Sequence, residues 1–183
     1  MNFTGKTAII TGAAVGIGKA TAIQLATYGA NVVMVDMNAE TLLAAEAEVK
    51  AASDKVMAVV CDVTDTTAVN DCVKRATERF GGVDILVNNA ALWRCRATFL
   101  ETPFEEWKKY LDVNVMGTVY ITKAVLPQMV ERGWGRIINL ASVAGVYGNA
   151  KMAHYSATKG AIISFTKALA KEVAGCGVTV NSI

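Results

Sequence analysis

The stretch Thr11-Gly-Ala-Ala-Val-Gly-Ile-Gly18 decides the fold, because three glycines in it join an apolar run to a helical pattern. The apolar run, residues 7–11, predicts a buried strand, and residues 15–28 predict a helix. The glycine spacing is GxxxGxG rather than the GxGxxG of the general dinucleotide motif. A turn without side chains still lets backbone N–H groups and a helix N-terminus approach a pyrophosphate. The alternative is a glycine-rich turn that binds no ligand.

Strand-like and helical patterns alternate outward from this turn to the end of the chain. Further strands are predicted over 31–36, 55–60, 83–87, 136–141 and 178–183, and further helices over 39–52, 66–80, 103–132 in two pieces, and 152–174. Thr102 is the predicted N-cap of the helix that starts at Pro103. The strands are continuous apolar runs, which are typical of a parallel sheet covered on both faces. We therefore expect an α/β fold, a Rossmann-like doubly wound parallel sheet of six strands in the order 3-2-1-4-5-6.

Length and composition favour one globular domain over residues 1–183. Hydrophobic residues make up 53% and charged residues 19% of the chain, which excludes an intrinsically disordered protein. The net charge of +2 does not indicate a nucleic-acid partner. No apolar run reaches the roughly 18 residues that a membrane span needs, so no membrane partner is expected.

Cysteine and histidine usage argues against a metal site. The four cysteines are widely spaced without a CxxC pair, and His154 is the only histidine. A structural zinc site or a disulfide framework is therefore not expected, and we predict a cytoplasmic protein that binds no metal. We expect His154 to be a helix residue near the cleft entrance rather than a ligand or a base.

The acidic residue that ends the second strand predicts the cofactor. A carboxylate at Asp36 can accept hydrogen bonds from both ribose hydroxyls of an adenosine and would repel a 2′-phosphate. Met37 follows it, Val15 in the glycine turn is uncharged, and the nearest cation, Lys19, belongs to the helix. This pattern predicts NAD(H) rather than NADP(H). The alternative is an aspartate that only caps a strand end or a helix.

Two further strand ends carry residues that suit a nucleotide. Asp62-Val63 ends the third strand, where a carboxylate can bond an adenine amino group, and Asn88-Asn-Ala-Ala91 ends the fourth, where small residues allow close approach. Asn88 is also expected to tie neighbouring strands together. Because the carboxyl ends of the strands meet at one crevice, all these residues are expected to lie close together. The expected cofactor-binding residues are Gly12, Val15, Gly16, Ile17, Gly18, Asp36, Asp62, Val63, Asn89 and Ala90.

The last helix carries Tyr155-Ser-Ala-Thr-Lys159, whose spacing of four puts the phenol and the ammonium on one helix face. Free tyrosine has a pKa near 10, but a cation about 5 Å away at an effective dielectric near 20 contributes roughly 3 kcal/mol, or about two pKa units. A phenol adjusted in this way can transfer a proton near neutral pH. Ser142 follows the fifth strand and can hold a carbonyl or alcohol oxygen at the same edge. The alternative is an exposed helix pair without function.

Taken in order, these motifs resemble the short-chain dehydrogenase/reductase family over the whole chain. The resemblance rests on Thr11–Gly18, Asn88–Ala91, Asn114, Ser142 and Tyr155–Lys159. In finer detail the sequence is most similar to 3-oxoacyl thioester reductases and bacterial cyclic-alcohol dehydrogenases. The resemblance implies an NAD(H)-dependent oxidoreductase that interconverts a secondary alcohol and a ketone.

The resemblance also implies a catalytic tetrad of Asn114, Ser142, Tyr155 and Lys159. Tyr155 is the general acid/base, and Lys159 assists it and binds the nicotinamide ribose, so both also belong to the cofactor site. Ser142 orients the substrate oxygen. Asn114 holds a water that connects Lys159 to solvent, although the helical pattern around Asn114 does not by itself single it out. Trp93, Arg94 and Arg96 follow the fourth strand near the expected substrate crevice.

The chain departs from the family pattern at two places. Ala91 replaces the usual glycine, and family members continue past Ile183 with a substrate lid. We therefore expect a fragment of a longer protein; a form that is truncated after the sixth strand would be a dinucleotide-binding protein with impaired catalysis. A sugar-nucleotide epimerase or dehydratase also uses Tyr-x-x-x-Lys, but the glycine spacing argues against it. The long helices at 105–129 and 152–174 predict a homodimer or homotetramer.

Overall fold

A computed structural model describes every residue from Met1 to Ile183 and contains one parallel sheet. Its strands are Thr7–Thr11 (β1), Asn31–Asp36 (β2), Val56–Val60 (β3), Ile85–Asn88 (β4), Gly135–Asn139 (β5) and Val178–Ser182 (β6). The spatial order is β3-β2-β1-β4-β5-β6, and every neighbouring pair is parallel. The predicted fold class and strand order are therefore confirmed.

Helices cover both faces of the sheet. They are Gly16–Thr27 (α1), Ala39–Lys50 (α2), Thr66–Phe80 (α3), Phe104–Leu111 (α4), Gly117–Glu131 (α5), Ala144–Tyr147 (α6) and Ala153–Glu172 (α7). Successive strand residues point to opposite faces, so Ile10 packs in a core with α1 and α2, whereas Ile9 packs in a second core with α3, α5 and α7. None of the helices combines the length and the apolar character that crossing a bilayer requires.

The predicted helix over 103–132 differs from the structure in its start and in its middle. Pro103 occupies the N-cap position, not Thr102, because the Thr102 hydroxyl donates to the Thr98 carbonyl at 2.8 Å instead of capping the helix. The two pieces, α4 and α5, are not separated by a break. A π-helical turn, Asp112–Met116, joins them, and π-turns inside helices are often found at functional sites.

The ends of the other elements lie within about two residues of their predicted positions, as is usual for helix and strand boundaries. One of these differences concerns β5, which was expected to reach Ala141 but ends at Asn139. The carbonyl of Leu140 accepts a hydrogen bond from Lys159 rather than from a neighbouring strand. The chain therefore leaves the sheet directly before Ser142.

The carboxyl ends of all six strands lie at one edge of the sheet, which fixes where the functional residues meet. At this edge the Asn88 side chain donates to Asn139 Oδ1 at 2.8 Å and to Thr122 Oγ1 at 3.0 Å. Asn88 thus joins β4 to β5 and to α5, as its position at the strand end predicts. Both bonds are made by the Asn88 amide nitrogen in the core, while the Asn88 Oδ1 is buried without a hydrogen-bond partner.

Candidate active site

The glycine turn between β1 and α1 is folded tightly on one side and open on the other. A side chain at Gly18 would collide with the carbonyl of Gly12, so this close approach requires glycine. Gly16 has φ +56°, and a Cβ built there would meet no atom within 4 Å. Its left-handed backbone therefore faces open space at the N-terminus of α1, where backbone N–H groups can receive an anion.

Asn89 holds this turn against the end of β4. Its Nδ2 donates to the carbonyls of Thr11 and Gly12 at 2.9 and 3.0 Å. In return, the Thr11 hydroxyl accepts from the backbone N–H groups of Asn89 and Ala90, both at 3.0 Å. The Asn89 amide nitrogen and the backbone N–H groups of Asn89 and Ala90 are therefore all occupied in shaping the turn.

The Asp36 carboxylate lies beside the glycine turn and is held by backbone donors. Its Oδ2 accepts from Ala14 N at 3.2 Å and its Oδ1 from Asn38 N at 3.1 Å. Lys19, the nearest cation in the sequence, is paired with Glu48 at 2.9 Å. The carboxylate is thus fixed beside the glycine turn by backbone donors.

Two apolar side chains are exposed around the N-terminus of α1: Val15 is 60% and Ile17 is 64% exposed. They lie on either side of Gly16 in the sequence. At the end of β3, the Asp62 Oδ1 accepts from the backbone and hydroxyl of Thr64 at 2.9 and 2.8 Å. Val63 is buried against Gly117, where a Cβ would lie 2.6 Å from the valine Cγ2.

The structure brings Tyr155 and Lys159 together on α7 at the same sheet edge. Lys159 is only 4% exposed, and its Nζ donates to the Leu140 carbonyl at 2.5 Å. The Nζ lies 5.7 Å from the centroid of the Tyr155 ring. Burial lowers the pKa of Lys159 from its ordinary value of 10.5 to about 8. The ammonium therefore stands next to the phenol in surroundings that solvent barely reaches.

Ser142 follows the end of β5, at the same edge of the sheet as Tyr155 and Lys159. Directly after it, α6 makes a close contact with α7 that the sequence did not predict. The Ser142 Oγ accepts from Ala144 N at 3.2 Å at the start of α6. A Cβ at Gly145 would lie only 2.5 Å from the carbonyl carbon of Lys159, so α6 packs directly on the backbone of α7. A glycine three residues after Ser142, within a helical segment, is the available sequence signal for this contact.

Asn114 is buried in the π-helical turn, and both its side-chain oxygen and its side-chain nitrogen form hydrogen bonds. Its Oδ1 accepts from Leu92 N at 2.7 Å, and its Nδ2 donates to the Leu92 carbonyl at 2.9 Å and to Thr158 Oγ1 at 3.1 Å. The side chain therefore clamps the segment after β4 to α7. The role of Asn114 in a water relay to Lys159 stays a prediction.

His154 lies in the interior between α4 and α7, not at the cleft entrance where it was expected. It is 0% exposed, and neither of its ring nitrogens has a hydrogen-bond partner. Its ring stands perpendicular to Tyr110, with 4.3 Å between ring centroids, and 6.0 Å from Trp107. The aromatic packing of α4 against α7, rather than solvent contact, accounts for this position.

The segment after β4 is tied down although its charged side chains are exposed. Cys95 N donates to the Tyr110 hydroxyl at 2.8 Å, and Ala97 N donates to the Lys151 carbonyl at 3.1 Å. Trp93, Arg94 and Arg96 are exposed to solvent. The structure therefore places them on the segment between β4 and α4, which hydrogen-bonds to Tyr110 and to the residue Lys151 before α7.

The family described as short chain dehydrogenase matches residues 6–183. A 2-dehydro-3-deoxy-L-rhamnonate dehydrogenase (NAD(+)) of a Sphingomonas species is 39% identical over 99% of this chain and 71% of its own length. The chain belongs to the short-chain dehydrogenase family.

Further members of this family match the chain equally well. A 3-oxoacyl-acyl-carrier-protein reductase of Vibrio cholerae is 42% identical over 100% of this chain and 73% of its own length. The crystal structure of an NAD⁺-bound xylitol dehydrogenase superposes with a TM-score of 0.97 at 40% identity, and covers 100% of this chain and 70% of the other. Such a short-chain dehydrogenase is an oxidoreductase, and the family resemblance found in the motifs is confirmed.

Proposed function

We propose that this short-chain dehydrogenase is an NAD(H)-dependent enzyme that interconverts a secondary alcohol and a ketone. The observation that carries the proposal is the buried Lys159 ammonium 5.7 Å from the Tyr155 ring, at the sheet edge that also holds the glycine turn. A phenol beside a cation is suited to general acid/base catalysis. Ser142, brought to this edge by the packing of α6 on α7, supplies a hydroxyl for the substrate oxygen.

Asp36 supports NAD(H) over NADP(H). Its carboxylate is oriented by Ala14 and Asn38 toward the glycine turn, and Lys19 is paired with Glu48. A 2′-phosphate there would face a carboxylate with no cation to balance it. The open left-handed backbone at Gly16 and the exposed Val15 and Ile17 fit the pyrophosphate and the apolar part of such a ligand.

When bound, NAD(H) supplies or accepts the hydride. In ketone reduction, the Tyr155 hydroxyl donates its proton to the oxygen that gains negative charge, while the Ser142 hydroxyl donates a hydrogen bond to the same oxygen. In alcohol oxidation the Tyr155 oxygen accepts the proton. Lys159 stabilises the phenolate that exists between these steps, since the two groups lie close together in a site of low polarity.

Two of the related proteins support the nicotinamide assignment. The rhamnonate relative carries NAD(+) in its name, and the xylitol dehydrogenase structure contains NAD⁺. These two proteins and the acyl-carrier-protein reductase differ in their named substrates, so they support the reaction class and leave the substrate open.

The test is an NADH-linked assay with a panel of ketones and a matching NAD⁺-linked assay with alcohols, run on the wild type and on Tyr155→Phe. We expect the wild type to turn over, and the variant to lose at least about a hundredfold in kcat. NADH binding by calorimetry is the control, because the phenol ring that remains should preserve it. Turnover retained by Tyr155→Phe would contradict the role of Tyr155.

NADH binding by the wild type without turnover of any substrate would instead favour a dinucleotide-binding protein with impaired catalysis. Tight retention of NAD⁺ through purification, together with turnover of a sugar nucleotide, would favour an epimerase or a dehydratase.

A further inference from the structure

Thr158 lies between Tyr155 and Lys159 in sequence, and its hydroxyl is completely buried. The Oγ1 donates to the backbone carbonyl of Tyr155 at 2.7 Å and accepts from Asn114 Nδ2 at 3.1 Å. One small hydroxyl therefore links the buried amide of the π-helical turn to the backbone of the proposed acid/base.

The first turn of α7, which carries Tyr155, packs through His154 against Tyr110 and Trp107 but lacks a side-chain cap. The N-cap residue of α7, Met152, makes no side-chain capping bond, and Tyr155 is the third residue of the helix. A first turn without a cap has unpaired N–H groups and frays easily. The Ser156 hydroxyl does accept from Asn149 N at 3.1 Å, but that bond is exposed. The hydrogen bond between Thr158 and Asn114, in contrast, is buried.

Asn114 is a firm anchor at the other end of this link. It makes two hydrogen bonds to the backbone of Leu92, at 2.7 and 2.9 Å, in the segment that follows β4. The hydrogen bonds from Leu92 through Asn114 and Thr158 to the Tyr155 carbonyl therefore connect the segment after β4 to the first turn of α7. Removing the Thr158 hydroxyl breaks this connection in the middle and leaves one Asn114 N–H unpaired in the core.

We propose that Thr158 is a positioning residue for the proposed reaction: it ties the first turn of α7 to Asn114 and so holds the Tyr155 hydroxyl in its reactive position beside Lys159. Thr158 does not touch the substrate itself. The inference rests on the proposed function. A displacement of a catalytic group by about 1 Å can cost about a hundredfold in rate, so loss of the tie should reduce kcat more than cofactor binding.

The same helix contains a matched control. Thr166 is also buried, its Oγ1 donates to the Ile162 carbonyl at 2.7 Å, and it accepts from Asn139 Nδ2 at 2.9 Å. The two threonines thus make the same pair of bonds, one to an asparagine amide and one to the backbone of α7. Thr166 lies about two turns farther along the helix than Thr158. Replacing either by valine removes the hydroxyl and preserves the shape.

The experiment compares Thr158→Val, Thr158→Ser and Thr166→Val for stability, NADH affinity, kcat, KM and the pH dependence of kcat. We expect both valine variants to be destabilised alike. Only Thr158→Val should lower kcat, by about tenfold or more, and shift its pH profile toward alkaline pH, with NADH affinity changed less than about twofold. Thr158→Ser should restore kcat. Equal kcat values and pH profiles in the two valine variants would overturn the proposal.

Amide hydrogen exchange provides a measurement that does not depend on activity. Loss of the tie should speed exchange in peptides that cover 88–98 and 153–160 in Thr158→Val, but not in Thr166→Val. If Thr158→Val fails to fold, the serine and alanine variants at 158 are compared in the same way. Unchanged exchange would overturn the role of Thr158. If the wild type binds NADH and reduces no ketone, the proposed function fails, while the exchange result still decides on Thr158.

Discussion

Lys159 donates a hydrogen bond to the backbone carbonyl of Leu140 across 2.5 Å, and this bond joins α7 to the end of β5. Lys159 is almost fully buried, so water has little access to its ammonium group. The bond to Leu140 satisfies one of the three N–H donors of this group. Leu140 lies directly after β5 and two residues before Ser142, so the same contact brings this part of the chain to α7. Lys159 thus both connects α7 to the end of β5 and places a positive charge beside Tyr155.

The burial of Lys159 predicts a pH-dependent stability. The folded protein holds the lysine pKa at about 8 instead of 10.5, so between these two pH values the unfolded chain binds more protons than the folded one. The free energy of unfolding therefore rises with pH across this window. Relative to Lys159→Met, the wild type should gain about 3 kcal/mol between pH 7.5 and 11.

This gain is measured by urea unfolding of both proteins at several pH values, without cofactor. Lys167→Met, at an exposed position on α7, is the control and should track the wild type. A constant difference between the wild type and Lys159→Met from pH 7.5 to 11 would mean that the ammonium is well solvated.

Asp36→Ala should weaken NADH binding by about tenfold or more, because the loss of hydrogen bonds to a charged group costs about 1.5–3 kcal/mol. Affinity for NADPH should stay equal or improve, since the repulsion of the 2′-phosphate is removed. Calorimetric titration of both cofactors into the wild type and the variant measures the change. A wild type that already prefers NADPH would show that the carboxylate does not select the cofactor.

Two glycines of the β1–α1 turn should respond differently to alanine. Gly18→Ala forces a methyl group against the Gly12 carbonyl and should destabilise the protein by about 2 kcal/mol or more. Gly16→Ala meets no atom, so the left-handed φ alone should cost about 1 kcal/mol, while the methyl group obstructs the ligand side of the turn.

Urea unfolding and NADH titration of the two glycine variants separate these effects. Gly16→Ala should lose more affinity than stability, and Gly18→Ala the reverse. The assignment of Gly16 to the ligand side fails if Gly16→Ala binds NADH as tightly as the wild type.

His154→Phe should leave the free energy of unfolding unchanged or raise it by about 1–2 kcal/mol. The imidazole is buried with both nitrogens unpaired, and replacing an unsatisfied polar ring by an apolar one removes a desolvation penalty. The phenyl ring also keeps the edge contact with Tyr110. Thermal and urea unfolding measure the change, and a loss of more than about 2 kcal/mol would show that the imidazole makes a polar bond in solution.

We also propose that the protein forms a homodimer or homotetramer through the helices at 105–129 and 152–174. Leu111, on the first of these segments, is 43% exposed and would be covered by a partner. Light scattering should show an oligomer at micromolar concentration, and Leu111→Glu should shift it toward smaller species because a charge would enter the interface. A monomer at this concentration would contradict the proposal.

The strand order followed from the sequence because each β–α unit is local. Continuous apolar runs identify parallel strands, and a parallel strand pair needs a helical crossover, so the alternation from Thr7 onward leaves few possible topologies. The placement of Asp36 and Asn88 at one edge is a consequence of that topology. The Tyr155–Lys159 pair could equally be predicted from the sequence, since residues four apart on a helix share one face.

The contacts around Tyr155 and Lys159 could not be predicted from the sequence in this way. Asn114 bonds to Leu92, 22 residues away, and to Thr158, 44 residues away, and neither spacing has a periodic signal. The π-helical turn that aims Asn114 inward is not marked by any residue pattern. The position of His154 was misjudged for the same reason: its neighbours Trp107 and Tyr110 lie on another helix.

By itself the sequence determined the sheet, the glycine turn and the residue types at each strand end, because periodicity and backbone sterics act over short distances. Only the tertiary structure decided how these residues are held: Lys159 on the Leu140 carbonyl, Asn89 on the glycine turn, and Thr158 between Asn114 and Tyr155. Such bonds join residues that are distant along the chain, and they form only when packing excludes the water that would otherwise satisfy the same groups.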